Sequence, residues 1–86
     1  MMAINELTSL RAKIDIIDSK TAALLEKRFL LLEQIRPLKK KIKDTAREKK
    51  VAANIKKHII NKEITPYALK FFKYLMKLSA EYQKKL

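Results

Sequence analysis

The sequence predicts an all-α chain of three helices, one long and two shorter. Three observations carry this reading. The 86 residues hold no glycine and only two prolines, which leaves little material for hairpins or phosphate-cradling loops. Apolar residues from Leu7 to Leu38 recur at spacings of three and four, the pattern of one helical stripe. Two later stretches repeat that period behind helix-start signals.

The long first helix carries a heptad ladder of Leu7, Leu10, Ile14, Ile17, Leu24, Leu31, Ile35 and Leu38. Asn5 or Thr8 is placed to cap its start. It is expected to reach at least Arg36. Pro37 then lacks a backbone donor and disfavours helical geometry at the residue before it, so a kink or an end is expected there. A helix from Leu7 to Lys39 would run about 50 Å at ~1.5 Å per residue, against a radius of gyration of about 12 Å for a compact chain of this length. The mismatch predicts a partner chain lying along the helix.

The second helix is expected from the segment Asp44-Thr45-Ala46-Arg47-Glu48, in which Thr45 and Glu48 have capping-box spacing. Val51, Ile55 and Ile59 continue its apolar stripe, and Asn61 and Lys62 are placed to end it. The third helix opens with Thr65 as cap and Pro66 at its first position, where a missing N–H costs nothing. Phe72, Met76, Ser79 and Gln83 fall on one face, with Leu75, Leu78 and Tyr82 beside them. Phe71, Phe72 and Tyr74 read as core. No repeat, low-complexity tract or linker divides the chain, so residues 1–86 read as one domain.

Cysteine is absent and His58 is the lone histidine, which rules out disulfides and thiolate metal sites and makes a metal centre unexpected. His58 reads as a surface or boundary residue. No apolar run approaches the ~20 residues of a membrane span, and the first residues lack a basic leader, so a soluble cytoplasmic protein is expected. The net charge of +12 has two readings. One is attraction of a polyanion or a small anionic substrate. The other is a solvated lysine surface, the preferred reading for Lys40, Lys41, Lys49, Lys50, Lys56, Lys57, Lys84 and Lys85.

Polar residues on the apolar faces are the candidates for chemistry. Thr21 and Arg28 interrupt the ladder of the first helix. An arginine on an apolar seam is costly unless an anion meets it there, though it can also serve as a register device or snorkel outward. On a continuous helix Lys39, eleven residues on, would share its face at about 16 Å, and the two could grip a small dianion. Arg11 lies too far from Arg28 within one helix, but an antiparallel partner chain could bring its own Arg11 close. Each residue also has a plain structural reading. Arg11 could pair with Asp15, Lys39 sits in a lysine run, Glu48 could serve a capping box, and Ser79 and Gln83 could bond between helices.

Taken together, Leu10-Arg11-Ala12-Lys13-Ile14-Asp15 with Asp18, Leu24-Leu25-Glu26-Lys27-Arg28, Ile35 through Lys39, Asp44 through Glu48, and Ser79 with Gln83 resemble the all-α chorismate mutases. The resemblance implies an intertwined homodimer of three-helix chains. It also implies an isomerase of aromatic amino acid biosynthesis that rearranges chorismate to prephenate without a cofactor. By that likeness Arg28 and the partner chain's Arg11 would bind the substrate carboxylates, with Arg47 nearby. Lys39 and Gln83 would donate to the ether oxygen and Glu48 would receive the ring hydroxyl. Asp44 and Ser79 would border the site. Arginine forks suit carboxylates, and a pericyclic step asks for restraint and charge stabilisation rather than an acid, base or nucleophile.

Two departures bear on the site. Pro37 falls within what is continuous helix in that family, and the Lys39–Asp44 connection is shorter. Lys40 or Lys41 would substitute if Lys39 turned away. The alternatives are a related isochorismate-pyruvate lyase and, from the charge alone, a non-catalytic basic module binding nucleic acid. Nucleic acid is not the expected partner, because no helix reads as an interleaved aromatic and basic recognition face.

Overall fold

A computed structural model describes residues 2–86, with side chains from Asn5 onward. Among these residues the chain forms α1 (Met2–Ile35), a 3-10 turn (Arg36–Leu38), α2 (Thr45–His58) and α3 (Thr65–Lys84), and no strand. The all-α, three-helix expectation holds. No helix among the described residues is long and apolar enough to cross a membrane.

Packing divides the chain into two units, the first closing at Leu31 and the second being Leu32–Leu86. In the first, the heptad ladder lies open. Leu7, Leu10, Ile14, Ile17, Leu24 and Leu31 are between 47% and 63% exposed. Thr21 interrupts the ladder at little cost, because its hydroxyl donates to the Ile17 carbonyl one turn back at 2.8 Å. α1 runs from Met2, so Asn5 and Thr8 lie inside it rather than at a cap.

In the second unit α2 packs against α3. The half-buried stripe of α2 is Glu48, Val51, Ala52 and Ile55, with Ile59 just beyond the helix end. On α3 the inward face carries Leu69, Phe72, Leu75, Met76, Ser79 and Gln83, and Leu75, Ser79 and Gln83 are its buried members. The tail of α1 joins through buried Leu32 and through Glu33, whose Oε2 accepts a 2.6 Å hydrogen bond from Tyr82 Oη.

That bond raises the Tyr82 phenol above its ordinary value, first because the neutral O–H is the donor, and then by modest desolvation and the nearby Glu33 charge. The linked stability is present below the ordinary tyrosine range near 10 and is lost as pH rises through the raised value. In a spectrophotometric titration, Glu33→Ala, which removes the acceptor, is expected to move one of the three tyrosines to a lower midpoint. Three unshifted midpoints would show that the bond does not form in solution.

Several local expectations change. Asp44, not Thr45, caps α2. Its backbone is extended (φ −137°, ψ 92°) and its carboxylate accepts from Arg47 N at 3.0 Å, so the anion serves the helix start and there is no capping box. The helix ends at His58, before Asn61, because Ile59 is extended. Asn61 instead prepares α3. Its Oδ1 accepts from Glu63 N, and its carbonyl accepts from Ile64 N and Thr65 N. Thr65 is thus the first residue of α3, with Ile64 at the cap position and no side-chain cap. Phe71 and Tyr74 are 54% and 60% exposed, so of the three residues read as core only Phe72 turns inward. A one-residue step rotates a side chain by about 100°, enough to leave the packing face.

Candidate active site

The site begins where α1 stops. Pro37 ends the α-helix at Ile35, and the chain passes through one 3-10 turn before Lys39 emerges in an extended conformation (φ −104°, ψ 136°). Lys39 therefore does not continue the helix, and the shared helical face proposed for Arg28 and Lys39 does not exist. Leu38 leaves the ladder for the same reason and is 84% exposed.

The break nevertheless delivers the Lys39 side chain to α3. Lys39 Nζ donates to the Ile42 carbonyl at 2.6 Å and approaches Gln83 Oε1 at 3.5 Å, a long contact across 44 residues of sequence. Lys39 is half-buried, whereas Lys40 and Lys41 are exposed. An ammonium has three N–H donors, so two are occupied and one is left for another acceptor.

Gln83 is held from its own helix. Its Nε2 donates to the Ser79 carbonyl at 3.3 Å, and Ser79 Oγ donates to the Leu75 carbonyl at 2.7 Å. Both side chains are only 5% exposed. They lie on the apolar packing face because the period of α3 brings residues 72, 75, 76, 79 and 83 to one side. Buried polar groups need partners, and both have one within a turn. The amide NH2 of Gln83 keeps a second donor beyond the bond to Ser79.

Glu48 sits on the inward stripe of α2 and is half-buried, while Asp44 and Arg47 are exposed at the start of that helix. The second unit therefore brings Lys39 and Gln83 together, with Ser79 one turn from Gln83 and Glu48 on the helix packed against α3. The other two expected residues belong to the first unit, where Arg11 is exposed and Arg28 half-buried.

Sequence reasoning missed Arg36. Its Nη1 donates to the Lys39 carbonyl at 3.2 Å, while the Lys39 amide donates to the Arg36 carbonyl at 3.2 Å. The two residues clasp each other across the 3-10 turn. Arg36 Nε is buried and has no hydrogen-bond partner. The available signal was an arginine directly before Pro37, where the backbone leaves the helix and carbonyls become free. Arg36→Met removes one hydrogen bond of about 1 kcal/mol but also an unsatisfied buried donor costing a similar amount. Urea unfolding is therefore expected to give a stability within about 1 kcal/mol of the parent. A loss above about 3 kcal/mol would mean that Nε has a partner in solution.

A comparison with protein families matches residues 10–84 to the family described as chorismate mutase type II. No curated protein and no solved structure matches the chain.

Proposed function

We propose that this chain, which belongs to the chorismate mutase type II family, rearranges chorismate to prephenate. The observation that carries the reading is the approach of Lys39 Nζ to Gln83 Oε1 within the second unit. An ammonium with an N–H to spare meets there the amide oxygen of Gln83, whose NH2 donates to the Ser79 carbonyl and keeps a second N–H for the substrate. In the rearrangement one C–O bond breaks as one C–C bond forms, and negative charge grows on the ether oxygen. Donors aimed at that oxygen stabilise the transition state more than the substrate.

The remaining residues take the roles their chemistry suits. Arg28 and the partner chain's Arg11 hold the two carboxylates, where a planar guanidinium matches a carboxylate bidentately. Arg47 assists from the start of α2. Glu48 receives the ring hydroxyl, and Asp44 and Ser79 border the site. Holding the enolpyruvyl side chain folded over the ring supplies the restraint a unimolecular reaction needs. The reading includes a homodimer, supported by the open ladder of α1, because six apolar residues left about half-exposed on one stripe suit a second copy of the same helix.

The test is incubation of the purified protein with chorismate and chromatographic identification of the product, with Arg28→Ala as control. Prephenate from the parent but not from the control is the expected result. Salicylate and pyruvate from isochorismate, with chorismate left intact, would move the assignment to the lyase.

A further inference from the structure

We infer that Lys40, Lys41 and Lys43 form an electrostatic collar that draws the dianionic substrate toward Lys39. The identity of the anion rests on the mutase reading above; the collar itself rests on where the charge lies. Residues 1–31 hold 5 Lys and Arg against 4 Asp and Glu, and residues 32–86 hold 16 against 5. Nearly all the excess charge thus belongs to the unit that holds Lys39 and Gln83.

Within that unit the connection from the 3-10 turn to α2 concentrates it. Lys39, Lys40, Lys41 and Lys43 stand there with a single acid, Asp44. Those five residues and Thr45 line a shallow, largely open concavity of about 490 Å³. The Asp44 carboxylate is engaged by the Arg47 amide. Lys40, Lys41 and Lys43 are exposed, and among the described residues none of them makes a hydrogen bond. Packing and pairing leave these three lysines without a structural duty.

Exposed charges beside a concave opening attract an anion over roughly a Debye length, about 10 Å at 0.1 M salt and about 3 Å at 1 M. The substrate keeps both carboxylates throughout the rearrangement, so the attraction acts equally on ground and transition states. It lowers KM and leaves kcat alone. A small anion fits better than a nucleic acid, because the lysines crowd one short connection around a small concavity rather than forming an extended stripe.

The test compares Lys40→Gln/Lys41→Gln/Lys43→Gln with a control, Lys56→Gln/Lys57→Gln/Lys62→Gln. The control lysines are exposed and lie at or beyond the far end of α2, with Lys56 about 17 Å along the axis from Thr45. At ~0.1 M salt the collar variant is expected to show KM for chorismate raised about fivefold with kcat unchanged, and the control less than about a twofold change. At ~1 M salt the three proteins should converge. An unchanged KM, an equal shift in the control, or a fall in kcat would overturn the collar.

A second arm does not need turnover. Amide signals of the full chain are titrated with isophthalate, a rigid ring dicarboxylate, and the same ordering of Kd is expected. A parent that binds isophthalate in this salt-dependent way yet leaves chorismate intact would overturn the mutase reading and sustain the collar. Equal isophthalate affinity in all three proteins would overturn the collar whatever the turnover. Tight oligonucleotide binding lost in the collar variant, with isophthalate affinity unchanged, would assign the lysines to a polyanion instead.

Discussion

Lys39→Ala is expected to lower kcat for chorismate by about 10²- to 10³-fold, the usual cost of removing one donor to a developing oxyanion. The loss falls mainly on kcat, because the ether oxygen carries its charge only in the transition state. The fold should survive. Lys39 contributes one firm side-chain bond, to the Ile42 carbonyl, and one long contact to Gln83. Such bonds contribute about 1–3 kcal/mol each, and the long contact to Gln83 lies at the low end. Lys40→Ala is the discriminating companion. It should keep kcat and change KM by less than about twofold, since one exposed lysine contributes only long-range attraction. If Lys40→Ala carries the large kcat loss, the backbone after Pro37 runs differently in solution and Lys40 is the donor. Steady-state kinetics beside helical circular dichroism separates these results.

Chains carrying Arg11→Ala and chains carrying Arg28→Ala are each expected to be inactive alone and active when mixed. In a two-fold dimer with one cross-chain arginine per site, a heterodimer has one site with both arginines and one with neither. Equal mixing with full subunit exchange makes half the dimers heterodimers, so about one quarter of the parent activity should return. The measurement is specific activity after co-refolding, against each variant refolded alone. Zero recovery with heterodimers demonstrably present would sink the shared site. Full activity in Arg11→Ala alone would remove Arg11 from the site altogether.

Much of the fold was legible because helical periodicity is a local property. The ladder of α1, the stripe of α2 and the face bearing Ser79 and Gln83 all follow from spacings of three and four. Pro37 also announced its break. What the break does next was not legible. The approach of Lys39 to Gln83 depends on the dihedral angles of a few residues after Ile35, and those follow from tertiary contacts. The exchange of Asp44 for Thr45 at the cap of α2 is a one-residue matter, in which two good caps stood side by side and the chain extended at the first. Phe71 and Tyr74 were misread because aromatic composition suggests burial without saying which side of a helix a residue occupies. Arg36 escaped because its partner is a backbone carbonyl, which no side-chain pattern reveals. The proposed pairing of Arg11 with Arg28 would be a relation between two chains, and a single chain's periodicity reaches only as far as the demand for a partner.

The short Lys39–Asp44 connection is held at its two ends and once within: Lys39 reaches Gln83, Asp44 starts α2, and Ile42 supplies a carbonyl between them. Its other three positions carry charge and little else. Mutations there leave packing and the Lys39–Gln83 contact untouched, so under the collar reading the salt dependence of substrate capture is open to adaptation by single, small steps.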